Sequence, residues 1–237
     1  MSPPTSLLQI RRPHGAPPHY QSLKLPVPLL RPGDPFPDPT TANRDGLVAI
    51  TMNLTVERLL GAYPKGIFPW TERPVTWWSP DPRGILPLEQ LHVPRRLEQT
   101  MRRGKFRLTV NQAFEEVIRG SAEPAPGREQ SWIGPAFIKA YTDLHARGFA
   151  SSYEAWHGDQ LVGGIYGVKM GNFFAGESMF HRVRDASSAA LVFAARALRE
   201  QGCQLFDLQM VTPHTARFGA VEIRRAEYLR RLKSALR

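Results

Sequence analysis

The chain has 237 residues, 42% hydrophobic and 22% charged, an ordinary globular composition that argues against wholesale disorder or a fibrous protein. Its 31 Lys and Arg against 21 Asp and Glu give a formal charge of +10, which favours a polyanionic partner such as nucleic acid or a membrane surface. The single cysteine, Cys203, excludes an intrachain disulfide or a cysteine-rich metal site, and no run approaches the roughly 18 apolar residues of a membrane span, so a cytoplasmic protein with no membrane partner is expected.

Residues 1–39 are dense in proline without helical or strand periodicity and read as an extended, partly mobile arm. Val56, Leu59, Leu60 and Tyr63 then fall on one helical face, with Thr55 as N-cap and Pro64 and Gly66 as a stop. The aromatic stretch that follows, to Arg83, is too rich in proline for a regular element, and a small N-terminal domain over 40–84 is expected to end there. Asn111 is read as the cap of a helix carrying Phe114, Val117 and Ile118 and ending at Gly120, before a mobile linker from Glu123 to Gly127. Pro135 suits the first position of a further helix, with Ile138, Tyr141 and Leu144 on one face and Gly148 past its end.

Three strand-like runs, Ser151 to Trp156, Leu161 to Val168 and Phe173 to Phe180, are joined by tight-turn sequences at His157-Gly158-Asp159 and Met170-Gly171-Asn172. An alanine-rich helix from Ser187 to Gln201 leads to a strand from Leu205 to Met210, and 216–232 is partly helical. The expected class is α+β: a small N-terminal domain plus, over 85–237, a domain with a twisted, mainly antiparallel sheet flanked by helices. This succession resembles the GCN5-related N-acetyltransferase fold, and fold alone does not give function.

Four segments together resemble the leucyl/phenylalanyl-tRNA-protein transferase family: Tyr63-Pro64-Lys65-Gly66-Ile67-Phe68-Pro69-Trp70, Trp77-Trp78-Ser79-Pro80-Asp81-Pro82-Arg83, Gly176-Glu177-Ser178-Met179-Phe180 and Asp207-Leu208-Gln209. Trp132-Ile133, Gly163-Gly164-Ile165-Tyr166-Gly167 and Thr212-Pro213-His214 extend the similarity over nearly everything after the arm. The chain departs from the family pattern at Ile50 to Leu54, at Ser188 and at Arg217-Phe218. The resemblance implies transfer of Leu, Phe and sometimes Met from charged tRNA to proteins beginning with Arg or Lys, marking them for degradation. It implies no metal and no organic cofactor, and a monomer is the default.

An aminoacyl ester is already activated, so peptide-bond formation needs chiefly a neutral amine held against the carbonyl. Consistent with this, the chain has no Gly-x-Ser-x-Gly elbow, no histidines at zinc spacing and no reason for Cys203 to be activated. Asp207 and Gln209, two apart on a strand, project from one face, where Asp207 can hold the Gln209 amide with its oxygen toward the amine. By resemblance, Glu177 helps to bind the cationic N-terminus of the acceptor. Ile165, Phe174 and Met179 are candidates for an apolar aminoacyl pocket, with Ser178 beside them in the same motif, and adaptable Met suits both Leu and Phe. Tyr63, Trp70 and Trp132 are candidates for the terminal adenosine or the pocket mouth, whereas Trp77 and Trp78 are assigned to the core. Arg95, Arg96, Arg102, Arg103, Lys105 and Arg107 are candidates for tRNA phosphate contacts.

A related transferase acting on acidic N-termini, an acetyl-CoA-dependent acetyltransferase and a non-catalytic RNA-binding protein are the alternatives. Against the acetyltransferase, the loop from His181 to Ser187 lacks the glycines of a pyrophosphate cradle.

Overall fold

The structure, a computed structural model, describes residues 27–124 and 131–237. Most of the expected arm and the Ala125 to Gly127 part of the expected linker lie outside the described residues. The end of the arm, from Val27, is packed: Leu30 N donates to Ile50 O at 2.9 Å, and Phe36 is buried edge-on against Trp77, 4.7 Å between ring centroids.

The N-terminal unit contains β1 (Leu47–Thr51), α1 (Val56–Ala62), β2 (Phe68–Pro69) and β3 (Val75–Trp78), with the strands in the order β1-β3-β2 and antiparallel. Thr55 caps α1 as its sequence position suggested, its hydroxyl accepting from Arg58 N at 3.2 Å. The expectation of an irregular aromatic segment is corrected, since β2 and β3 form within it and β4 (Arg83–Leu86) begins at its last residue. Proline is accommodated at the limits of these strands: Pro69 closes the edge strand β2, and Pro74 and Pro82 immediately precede β3 and β4. Trp77 and Trp78 are core residues, at 0% and 2% exposure, with their indole N–H groups donating to Thr51 and Thr76 hydroxyls.

The remaining elements are α2 (Arg95–Arg102), β5 (Arg107–Val110), α3 (Phe114–Ala122), α4 (Pro135–Ala146), β6 (Ala150–His157), β7 (Gln160–Met170), β8 (Phe173–His181), α5 (Ala186–Glu200), β9 (Leu205–Gln209), α6 (Pro213–Ala216), β10 (Val221–Ile223) and α7 (Arg225–Ala235). A seven-stranded sheet runs in the order β10-β4-β9-β8-β7-β6-β5, antiparallel throughout except for the parallel β8–β9 pair. The meander β6–β8 follows the expected strands and turns. The helix α3 differs from its reading: Asn111 is no cap but takes a left-handed turn, φ 57°, with its side-chain oxygen accepting from Ser152 N, and Gly120 lies inside the helix.

Strand alternation divides the core in two. Tyr166 and Phe173 face α3, α4 and the N-terminal unit, whereas Ile165 and Phe174 face α5 and α2. The first of these layers is continuous from Phe36 through Trp77 and Tyr141 to Tyr228, so the N-terminal unit shares its core with one face of the large sheet. The expected boundary after residue 84 falls within β4. No helix among the described residues is long and apolar enough to cross a membrane.

Candidate active site

The site forms where β9 ends beside β8. Asp207 is fully buried, and both its oxygens are engaged: Oδ1 accepts from Arg83 Nε at 2.9 Å and Gln209 N at 2.8 Å, and Oδ2 from Arg83 Nη2 at 2.6 Å and Tyr228 OH at 2.8 Å. Arg83 is itself 1% exposed, donates to Gly66 O and lies against the rings of Phe68 and Tyr228. Burial opposes its charge, and the Asp207 carboxylate more than restores it, raising the Arg83 pKa.

The expectation that Asp207 orients the Gln209 side chain is corrected. Asp207 instead holds the backbone N–H of Gln209, which has a φ of 58°, while Met210 N donates to Leu208 O at 2.6 Å across it. This three-residue turn breaks strand alternation at Gln209. A Cβ on Gly84 would lie 2.5 Å from Met210 C and 2.7 Å from Val211 N, so the turn closes only over a glycine. The Gln209 side-chain amide donates from Nε2 to Glu177 Oε1 at 3.1 Å, leaving the amide oxygen as an acceptor.

Glu177 is half-buried. Tyr141 OH donates to its Oε2 at 3.2 Å, and the Tyr63 and Tyr141 hydroxyls are 2.5 Å apart. Burial pushes the Glu177 carboxyl up to about 8; the tyrosine hydroxyls and Arg83 oppose this, and the Asp207 charge adds to it. Burial, followed by the Glu177 charge, raises both tyrosines well above their ordinary range, so they stay protonated donors.

Two cavities meet at this point. The larger, about 350 Å³, is lined by Ile165, Ser178, Met179, Leu208 and a polar rim that includes His181, Ser187, Thr212 and His214. The smaller, about 240 Å³, is lined by Phe68, Trp70 and Trp132. Glu177, Leu208, Gln209, Met210 and Thr212 belong to both walls. A hollow of about 660 Å³ on the N-terminal unit contains none of these residues.

Of the residues singled out from sequence, Glu177, Gln209, Ile165, Ser178, Met179, Trp70 and Trp132 come together around the cavities. Tyr63 and Phe174 do not line them: Tyr63 stands behind Glu177, and Phe174 packs edge-on against Phe206 and Tyr153 in the core. Arg83, Tyr141 and Tyr228 were not singled out as site residues, and the His181–Ser187 loop was named only for lacking a pyrophosphate cradle. Arg83 stood inside a quoted motif, but nothing in its spacing pointed to Asp207. The six basic residues Arg95, Arg96, Arg102, Arg103, Lys105 and Arg107 are exposed on α2 and the segment into β5, with Arg102 paired to Glu98 at 3.2 Å and Arg107 lying over Trp156. The Cys203 thiol is partly buried with its pKa raised by burial, unlike a nucleophile.

Residues 85–233 match the family model described as leucyl/phenylalanyl-tRNA protein transferase, and residues 52–81 match the model of that family's N-terminal domain. The chain is 51% identical over 215 residues to the leucyl/phenylalanyl-tRNA–protein transferase of Anaeromyxobacter dehalogenans (strain 2CP-C), covering 89% of this chain and 92% of the relative. It is 50% identical over 205 residues to the protein of the same name from Nitratidesulfovibrio vulgaris (strain DP4), covering 85% and 88%. Among solved structures it is similar to L-PGS from Bacillus licheniformis, with a TM-score of 0.43 and 11% identity over 79% of this chain and 72% of that one. On the family matches, which span both units of the fold, and on identity at this level, the chain belongs to the leucyl/phenylalanyl-tRNA–protein transferase family.

Proposed function

We propose that the protein moves Leu or Phe, and Met as a third donor, from aminoacyl-tRNA to the N-terminal Arg or Lys of acceptor proteins. Family membership carries the aminoacyl transfer, and the observation that carries the acceptor choice is Glu177 paired with Gln209 at the common wall of two cavities. The larger, partly apolar cavity, with Ile165, Met179 and Leu208, takes the Leu or Phe side chain, and Trp70 and Trp132 offer ring faces to the terminal adenine. Glu177 is the acidic group of this wall; its carboxyl, held up to about 8 by burial, gives up its proton when the cationic N-terminal residue enters beside it and then pairs with that charge.

The incoming α-amine has a pKa of roughly 8 and must lose a proton to attack. Its nitrogen bonds to the ester carbonyl carbon while the bond from that carbon to the ribose oxygen breaks, and that oxygen takes up a proton. The Gln209 amide oxygen, fixed by the Nε2 bond to Glu177, accepts a hydrogen bond from the amine. Asp207 lines neither cavity and acts as the anchor of the Gln209 turn, without touching substrate. The basic residues of α2 and the segment into β5 supply phosphate contacts that position the tRNA.

We further infer that residues 85–237 form a GCN5-related acyltransferase-like domain and that the whole protein acts as a cytoplasmic monomer; the succession of helices, antiparallel meander, α5 and β9 supports the fold. Incubation with radiolabelled leucyl-tRNA and peptides beginning with Arg, Lys, Asp, Glu or Ala tests the reading. Label on the Arg and Lys peptides alone is expected; label on Asp or Glu peptides would reassign the acceptor class, and none on any peptide would remove the transferase reading.

A further inference from the structure

The larger cavity has a lip whose ends are both in its wall. His181 closes β8 and Ser187 lies in the first turn of α5, and the two are joined by a 3.5 Å contact between His181 Nδ1 and Ser187 Oγ. The lip is held close to the sheet because Gly163 of β7 carries no side chain: a Cβ there would lie 2.7 Å from Ala186 Cβ and 3.0 Å from Ser187 N.

Two arginines sit on this lip. Arg182 is committed, donating to Glu123 Oε1 at 2.6 Å and Leu161 O at 3.0 Å and lying over the Phe180 ring. Arg184 is exposed, and its side chain is bonded to no acid or carbonyl among the described residues. Its backbone oxygen accepts from Lys105 Nζ at 3.4 Å, which joins the lip to the basic segment between α2 and β5. Arg196 of α5 pairs with Glu98 of α2 at 2.7 Å and fixes that segment alongside the lip. The neighbouring acid, Asp185, is half-buried at the N-cap position of α5.

We infer that Arg184 contacts a backbone phosphate of the tRNA acceptor end, completing a cationic track from Arg102 and Arg103 through Lys105 to the mouth of the aminoacyl cavity. The inference rests on the transferase reading above. An exposed guanidinium with no side-chain partner among the described residues can pair with phosphate, and its place on the lip puts that contact next to the reacting end of the donor. Contacts of this kind position the nucleic acid without reading its sequence.

The test compares two donors, leucyl-tRNA and 3′-leucyl-adenosine, which carries no phosphate, with wild type, Arg184→Ala and Arg184→Glu. With leucyl-tRNA, Arg184→Ala is expected to raise KM roughly fivefold at moderate salt with kcat unchanged, and Arg184→Glu more. The slope of log kcat/KM against log salt should become shallower by about 0.7 to 0.9, the value for one phosphate contact. With 3′-leucyl-adenosine both variants should match wild type. An unchanged tRNA KM and salt slope would overturn the inference, as would an equal loss with both donors, which would make the lip a structural element. A change confined to the KM of the acceptor peptide would assign Arg184 to the protein substrate instead. Wild-type protein inactive with both donors would reject the transferase reading itself.

Discussion

Arg83 and Asp207, 124 positions apart in the chain, meet as a buried two-pronged ion pair with nitrogen–oxygen distances of 2.9 and 2.6 Å. Through Tyr228 and Gly66 the pair also ties α7 and the turn between α1 and β2 to β9. The residue it ultimately fixes is Gln209, whose backbone N–H closes on the same carboxylate.

Arg83→Ala strands a buried carboxylate and is expected to cost about 3–5 kcal/mol of stability, read from urea unfolding. Replacing both partners, Arg83→Met with Asp207→Leu, should restore most of that stability because no charge is left unpaired. Transfer should stay at least tenfold below wild type in the double variant, since Gln209 has lost its anchor. A stable double variant with wild-type transfer would show that Asp207 has no positioning role.

Glu177 sets a pH dependence whose sign is fixed. Its carboxyl is raised from 4.5 to about 8, first by burial, so between those values the folded protein holds a proton that the unfolded chain has released. Stability from this group is therefore complete below pH 4.5 and declines as pH rises toward 8, at no more than about 1.4 kcal/mol per pH unit. Glu177→Gln removes the effect. Its unfolding free energy relative to wild type should improve steadily across pH 5, 6.5 and 8; a constant difference would reject the assignment.

Gly84→Ala places a methyl group within 2.5 to 2.8 Å of the Met210 and Val211 backbone. Overpacking of this kind costs about 1–3 kcal/mol. Because the displaced backbone adjoins the Gln209 turn, kcat should fall at least tenfold under conditions where circular dichroism reports a folded protein. Retention of wild-type kcat would mean that the turn tolerates displacement.

Glu72, two residues after Trp70, accepts from Ala136 N in the first turn of α4, four residues after Trp132. It thus ties together the two tryptophans of the smaller cavity. Glu72→Ala should raise the KM for leucyl-tRNA roughly fivefold with little change in kcat, and Glu72→Gln, which keeps an acceptor, should recover most of the loss. A Cβ at Gly134 would lie 2.1 to 2.8 Å from the Glu72 carboxylate, so Gly134→Ala should reproduce the Glu72→Ala defect. Adding both changes together should be no worse than either alone, as for two members of one contact. Full additivity in the double variant would refute the shared mechanism.

The parts of this fold that were legible in sequence are those with local causes. The meander β6–β8 carries strand-forming runs and turn glycines, α4 opens on proline at its first position, and α5 is an alanine-rich run stopped at Gly202. The strands β2 to β4 were missed because their prolines sit at strand limits, where local composition looks like loop. At the site, the motif residues drew attention to Glu177 and Gln209, but roles that depend on distant pairing were invisible. Period-two alternation placed the Asp207 and Gln209 side chains together, and the positive φ of Gln209 defeats that rule. Phe174 was a plausible pocket residue for its chemistry, yet the same chemistry suits the core, and only its packing on Phe206 separates the two.

The wall common to the two cavities limits how such an enzyme can be redesigned. Glu177, Leu208, Gln209, Met210 and Thr212 each face both sides, so a substitution of one of them that enlarges the larger cavity also reshapes its neighbour. Broader donor choice is therefore more cheaply reached through Ile165 or Met179, which face the larger cavity alone. Glu177 itself stands in both walls, so variants at Glu177 that change acceptor choice should carry altered donor preference with them.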